Sequence, residues 1–77
     1  MRAKIKVWGK EYLVESIGWS KASGRIAHIS FRDELDDFYV FHKAYSNSDN
    51  AESMKGKTAN TDLIYADLEK RIIWEES

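Results

Sequence analysis

Residues 3–16 read AKIKVWGKEYLVES, and this stretch decides the fold. Side chains alternate between the two faces of a strand, so folding the stretch about Gly9 and Lys10 gathers its apolar residues on one face. These residues are Ala3, Ile5, Val7, Tyr12 and Val14. The other face carries Lys4, Lys6, Trp8, Glu11, Leu13 and Glu15. In this register Lys4 lies across from Glu15, which is a favourable pair, and the stretch predicts a β-hairpin with one core face.

Length and composition predict one small folded domain over residues 1–77. The chain is 43% hydrophobic and contains three Trp, four Tyr and three Phe, which is too apolar for a chain that stays disordered. There is no cysteine, so disulfides and thiolate metal sites are excluded. The start of the chain has no apolar run of signal-peptide length, and we expect a cytoplasmic protein.

A second hairpin is predicted from Arg25 to His42, with a polar break at 33–36 between its strands. If Arg32 faces Asp37, one face holds Ile29, Phe31, Phe38 and Val40, and the other holds Ile26, His28, Ser30, Tyr39 and Phe41. The same register places His28 and His42 on opposite faces, so we expect them to share no metal ion.

Residues 43–61 lose this alternation and form a long polar connection. Within it, residues 48–56 predict one or two helical turns, capped by Ser48 or Asp49 and ended by Gly56. The connection is either functional or loosely held.

The C-terminal segment supports two interpretations. As strands, 63–66 and 72–74 flank a charged break at 69–71 and place Tyr65 opposite Trp74, which gives a third hairpin. As a helix, Asn60 or Thr61 would cap it, but the apolar side chains scatter around the axis. We therefore predict a mainly β protein, a small antiparallel sheet of successive hairpins that curls into a barrel or two-layer sandwich. The alternative is an α+β fold with a C-terminal helix over the sheet.

Sites for small ligands are weakly supported by the sequence. Gly56-Lys57-Thr58 resembles the end of a phosphate-binding loop, but the motif's first glycine is replaced by Ala51. The acidic cluster of Asp33, Glu34, Asp36 and Asp37 lacks the spacing and glycine of a calcium loop. No nucleophile or carboxylate pair stands in a catalytic context. We predict no enzyme activity, no cofactor and no metal.

Surplus aromatic residues give the strongest functional signal. One sheet face accounts for the predicted core, yet Trp8, Trp19, Tyr39 and Phe41 point the other way, where they are either covered by a second layer or left for a partner. The hairpin tip with Asp33, Glu34, Asp36 and Asp37 is a further accessible surface. The prediction is a small non-enzymatic protein-binding module or inhibitor, of the kind found among phage and mobile-element accessory proteins. A homodimer is a further expectation, since few residues are available to cover two apolar faces.

The alternative function is binding of single-stranded nucleic acid through a sheet face. Bases would stack on exposed aromatic rings while basic residues contact phosphates, and the basic residues of the first third are Arg2, Lys4, Lys6, Lys10 and Lys21. The net charge of -1 and the acidic Glu11 and Glu15 on the same predicted face oppose this function.

Overall fold

The computed structural model describes residues 2–45, 47–57 and 63–75. Its strands are β1 (Arg2–Val7), β2 (Lys10–Trp19), β3 (Ile26–Arg32), β4 (Phe38–Lys43), β5 (Ile64–Ala66) and β6 (Ile72–Glu75). A single helical turn, α1 (Leu68–Arg71), joins the last two strands, and a 3-10 turn spans Glu52–Met54. The mainly β class is confirmed. No helix in the described part of the chain has the length and apolar character needed to span a bilayer.

The six strands form one sheet in the order β5-β4-β3-β2-β1-β6. All neighbours are antiparallel except β4 and β5, which run parallel. The two edge strands, β5 and β6, are connected only by α1 and its flanking residue Asp67. The sheet does not close into a barrel, because the pairing of the described strands ends at β5 and β6.

Contacts of Trp8 show how strongly this sheet curls. Trp8 directly follows β1, yet its ring centroid lies 5.0 Å from that of Tyr39 and 5.6 Å from that of Phe41, both in β4. Two strands separate β1 from β4 in the sheet, and a flat sheet would hold them about 14 Å apart at roughly 4.8 Å per strand. The concave face of the curled sheet therefore encloses the core.

The first hairpin forms, but its predicted turn was wrong by one position. Val7 pairs with Lys10, so Trp8 and Gly9 occupy the turn, with φ of 55° and 72° as a type I′ turn requires. The pairing shifts by two residues, which preserves the predicted faces of the strands. Lys4 consequently faces Leu13 instead of Glu15 and forms an ion pair of 3.0 Å with Glu75.

The second hairpin also forms, with a register that differs by one residue from the predicted one. Asp33 N–H donates to Asp37 O at 3.0 Å, and Asp36 adopts the left-handed conformation with φ of 66°. The loop after Arg32 spans residues 33–37, one residue more than the predicted 33–36. Arg32 therefore pairs with Phe38, and Phe31 with Tyr39. A slip of one residue exchanges the two faces of β4.

The predicted third hairpin was wrong, although both of its strands exist. Tyr65 pairs with His42 in β4, and Trp74 pairs with Ala3 in β1. The charged break between them is the helical turn α1, whose first backbone groups are capped by Asp67 and whose Leu68 is buried. The alternative long C-terminal helix is also absent from the described residues.

The polar connection covers one end of the core and one edge of the sheet. Ala51 and Met54 are buried, and the Trp8 indole Nε1–H donates to Ala51 O at 2.7 Å. Asn50 N–H donates to Tyr65 O at 2.9 Å while its side-chain Oδ1 accepts from Tyr65 N–H at 2.6 Å, so Asn50 satisfies the outer edge of β5. The predicted helix over 48–56 is reduced to the 3-10 turn without a side-chain cap. Residues 46 and 58–61 of the predicted connection lie outside the described residues.

Candidate partner-binding cleft

The aromatic residues predicted to bind a partner separate into two groups. Trp8 is 9% exposed, Tyr39 is 2% exposed and Phe41 is fully buried, so these three are covered, which is one of the two alternatives that the sequence left open. Tyr39 and Phe41 enter the core because of the register of β4, and Trp8 enters it because it occupies the turn after β1. Trp19 is 52% exposed and is the one member of the predicted set that remains accessible.

Trp19 has a partner that the sequence did not indicate. Its ring lies nearly parallel to that of Trp74, with an interplanar angle of 11° and a centroid separation of 6.1 Å, which is an offset stack. Trp74 is 44% exposed. Two large indoles therefore share one surface while keeping about half of their area in contact with water.

The two indoles border a cleft of about 230 Å³. The remaining lining residues are mainly apolar: Ala3, Val14, Ile17 and the one acidic member, Glu15. Val14 and Ile17 pack against the core, so the floor of the cleft continues into the interior. We call this surface, formed by these six residues, the Trp19–Trp74 cleft.

Strand pairing accounts for the position of both tryptophans. Trp74 lies directly opposite Ala3, whose small, buried side chain leaves room above β1. The pairing of β2 with β3 is irregular between Val14 and Ser16 and again between Gly18 and Trp19. Such bulges bend and re-aim a strand, and the long β2 thereby brings Trp19 back over β1 to meet Trp74.

The cleft lies at the open end of the core. At one end of β1, Trp8 is covered by Ala51 and Met54 of the polar connection. Ala3, near the other end of β1, lies beneath the cleft, where no described residue covers the two indoles to the same degree. One end of the concave face is thus closed by the chain itself and the other is left open.

Charges around the cleft are paired. Glu15 binds Arg32 at 3.2 Å, and Glu75, next to Trp74, binds Lys4 at 3.0 Å. The hydrogen bond to Glu75 raises the pKa of the Lys4 ammonium group. Because both carboxylates are paired with a basic side chain, they add little net charge near the cleft. The contacts that the cleft can make with a partner are therefore mainly apolar and aromatic.

The acidic hairpin tip is used mainly within the fold. Asp33 Oδ1 accepts from the backbone N–H groups of Leu35 and Asp37, which closes the loop. Glu34 accepts from Lys10 Nζ and from the Tyr12 hydroxyl, both at 2.8 Å. Asp36 and Asp37 are exposed. Half of the predicted acidic surface therefore has a structural role, and partner binding at the tip stays a prediction.

The Glu34 contacts predict a specific acid sensitivity. The hydrogen bond from Lys10 is the main reason that the pKa of Glu34 is lowered from 4.5 to about 2. The unfolded chain then binds more protons between these two values, so the stabilisation from Glu34 is complete above pH 4.5 and is lost as the pH falls towards 2. Urea unfolding of the wild type and Glu34→Gln from pH 6 to pH 2 should show the wild type as the more stable protein at pH 6, with the difference shrinking on acidification. A stability difference that stays constant with pH would contradict this role of Glu34. High salt should reduce the stability difference at pH 6, because the Lys10–Glu34 pair is exposed and therefore screened.

Three of the predicted basic residues, Arg2, Lys4 and Lys6, do not share a surface with Trp74. β1 alternates, with Ala3, Ile5 and Val7 buried and the basic Arg2, Lys4 and Lys6 between them. Since Trp74 lies opposite Ala3, it is on the core side of the sheet, whereas these basic residues are on the outer side. Lys10 is paired with Glu34. Phosphate contacts and base stacking would therefore fall on different faces.

Metal-binding capacity is limited in the described part of the chain, where no group of three or more His, Cys, Asp or Glu side chains is arranged to hold an ion. No family model, curated protein or solved structure matches this chain. The function proposed below therefore rests on the geometry and chemistry of the Trp19–Trp74 cleft.

Proposed function

We propose that this protein is a small, non-enzymatic protein-binding module whose binding surface is the Trp19–Trp74 cleft. The observation that carries the proposal is the offset stack of two half-exposed indoles at the uncovered end of the core. Burial of these two tryptophans would stabilise the fold, and a chain of this size has little other apolar surface to bury. A partner that covers them would recover that free energy on binding.

The partner is expected to insert apolar or aromatic side chains into the cleft. Tryptophan is enriched among the residues that dominate binding energy at protein interfaces, and the floor formed by Val14 and Ile17 is continuous with the core. Glu15, which lines the cleft and is paired with Arg32, contributes to the polar rim that such interfaces have. A second copy of this chain is one candidate partner, and light scattering after size-exclusion chromatography identifies that case.

Single-stranded nucleic acid is the alternative ligand, because exposed indoles also stack on bases. The separation of Trp74 from Arg2, Lys4 and Lys6 by the thickness of the sheet favours a protein instead. A titration with single-stranded DNA and RNA at 50 mM salt distinguishes the two. Tight binding that weakens steeply with added salt would support the nucleic-acid function.

Affinity capture from the native cell, with quantitative identification of bound proteins, tests the proposal. The baits are the wild type, Trp19→Ala, Trp74→Ala and Leu13→Ala, each first shown to be folded by circular dichroism. Leu13 is a matched control, since it is in the same strand as Trp19 and is 50% exposed, but lies opposite Lys4 on the outer face. We expect proteins captured by the wild type and Leu13→Ala to be lost with both tryptophan variants.

Capture that all four baits share would exclude the cleft as the binding surface. Asp37→Lys, which reverses an exposed charge at the acidic tip, separates a role of the tip from a role of the cleft. Whether the module is an inhibitor is decided by measuring the captured partner's own activity with and without the protein.

A further inference from the structure

The corrected register of the second hairpin brings the two histidines of the chain together. His28 pairs directly with His42 across β3 and β4, and their ring centroids are 6.1 Å apart with an interplanar angle of 48°. They lie on the face of the sheet opposite the core residues Ile29 and Phe41. The pair is therefore separate from the Trp19–Trp74 cleft.

Gly18 fixes the position of the first histidine. It is the β2 residue that pairs with His28, and a Cβ at this position would overlap the His28 imidazole. The ring thus lies against the backbone of Gly18 on one side and faces His42 on the other. This arrangement restricts the imidazole before any ligand binds.

The ring nitrogens of both histidines are available to a ligand. Among the hydrogen bonds of the described residues, none uses a side-chain nitrogen of His28 or His42. Both rings border a surface cavity of about 320 Å³ that is also lined by Lys43, Tyr45 and Tyr65. None of the described residues that line this cavity has a carboxylate, the side-chain group on which Ca²⁺ and Mg²⁺ sites are mainly built.

Imidazole nitrogen is a preferred ligand of Zn²⁺, Ni²⁺ and Cu²⁺. An ion bound to one nitrogen of each ring at about 2.0–2.1 Å places the ring centroids about 5–6 Å apart. The observed 6.1 Å is just above this range, so the two rings would have to come slightly closer to share an ion. Two protein ligands leave the remaining coordination positions to water.

From this geometry we infer that His28 and His42 form a two-histidine site for a divalent transition-metal ion on the outer face of the sheet. The site is open, and the nearby Lys43 ammonium group opposes a cation, so the affinity is lower than that of a closed structural zinc site. This inference does not depend on the proposed partner-binding function.

Isothermal titration calorimetry tests the site. Untagged protein is titrated with Ni²⁺ and, separately, with Zn²⁺ in a non-chelating buffer. The wild type should bind one ion, and His28→Ala and His42→Ala should each lower the affinity at least about tenfold. Loss of a residue that only supports a metal ligand already lowers metal affinity about 10–100-fold, so loss of a ligand should cost no less. Leu63→Ala is the matched control, because Leu63 lines the same cavity but has no side-chain donor atom. It should bind as the wild type does.

Nuclear magnetic resonance of the wild type provides a second test, which does not require any variant to fold. Added Zn²⁺ should shift the imidazole resonances of both histidines together and leave the Trp19 and Trp74 indole resonances unchanged. Wild-type affinity in His42→Ala, or a shift confined to one histidine, would overturn the site. Absence of heat and of any imidazole shift at 1 mM metal would overturn it as well.

Discussion

Phe41→Ala is expected to destabilise the protein by about 3–5 kcal/mol, the usual cost of removing a buried phenylalanine. Phe41 is fully buried, and its ring contacts those of Trp8 and Phe31 at centroid distances of 5.6 and 5.0 Å. A domain of this size has a total stability of only about 4–12 kcal/mol at roughly 0.05–0.15 kcal/mol per residue. The substitution should therefore unfold a large fraction of the molecules at 37 °C.

Phe38→Ala is the matched control in the same strand. Phe38 is 38% exposed and lies under the Arg32 guanidinium at 5.2 Å, a contact worth about 0.5–1 kcal/mol at an exposed site. Urea unfolding followed by circular dichroism compares the two variants. The register predicted from the sequence reverses their ranking, so a larger loss for Phe38→Ala would contradict the register of β4 described here.

Trp8→Ala is expected to cost about 3–5 kcal/mol, whereas Trp19→Ala should cost clearly less, because the Trp19 side chain is 52% exposed. The Trp8 ring contacts Tyr12, Phe31, Tyr39 and Phe41 and its indole binds Ala51 O. Trp19 stacks only on Trp74 among the described aromatic residues. The two tryptophans thus have different roles, one in the core and one at the surface.

Trp8→Phe separates packing from the hydrogen bond. It keeps an aromatic ring in the core but removes the Nε1–H donor, which leaves Ala51 O without its partner, a loss of about 1–3 kcal/mol. The variant should therefore be less stable than the wild type and more stable than Trp8→Ala. Equal stability of Trp8→Ala and Trp19→Ala in urea would contradict the assignment of Trp8 to the core.

Local patterns predicted the strands well because alternation reports which face of a strand is buried. In the first hairpin the shift of the turn from Gly9-Lys10 to Trp8-Gly9 moved the pairing by two residues, which leaves the side chains of the paired residues on their predicted faces. Trp8, which lies in the turn, enters the core instead of the predicted outer face. In the second hairpin the same kind of error amounted to one residue and exchanged the faces of β4. The cause is that the loop takes in one more residue, with Asp36 in the left-handed conformation, which the sequence Asp-Glu-Leu-Asp does not indicate.

The alternation of side chains did not predict which distant strands pair with each other. β5 and β6 are short and close in sequence, so a hairpin was the simplest interpretation, yet they lie at opposite edges of the sheet. Nothing in the sequence near Trp74 indicates that Ala3 is its neighbour, and the cleft depends on that pairing. The hydrogen bonds of Asn50 to the edge of β5 are likewise tertiary contacts. Together with the contact of Ala51 with Trp8, they hold the polar connection against the sheet, which the sequence alone did not predict.

The central claim is that the Trp19–Trp74 cleft binds a protein partner, and the affinity of the captured partner for matched variants tests it most directly. Equilibrium titration should show binding at least about 30-fold weaker for Trp19→Ala and for Trp74→Ala, which corresponds to the roughly 2 kcal/mol that marks a dominant interface residue. Leu13→Ala should retain the wild-type affinity. Wild-type affinity in both tryptophan variants, shown to be folded, would contradict the account.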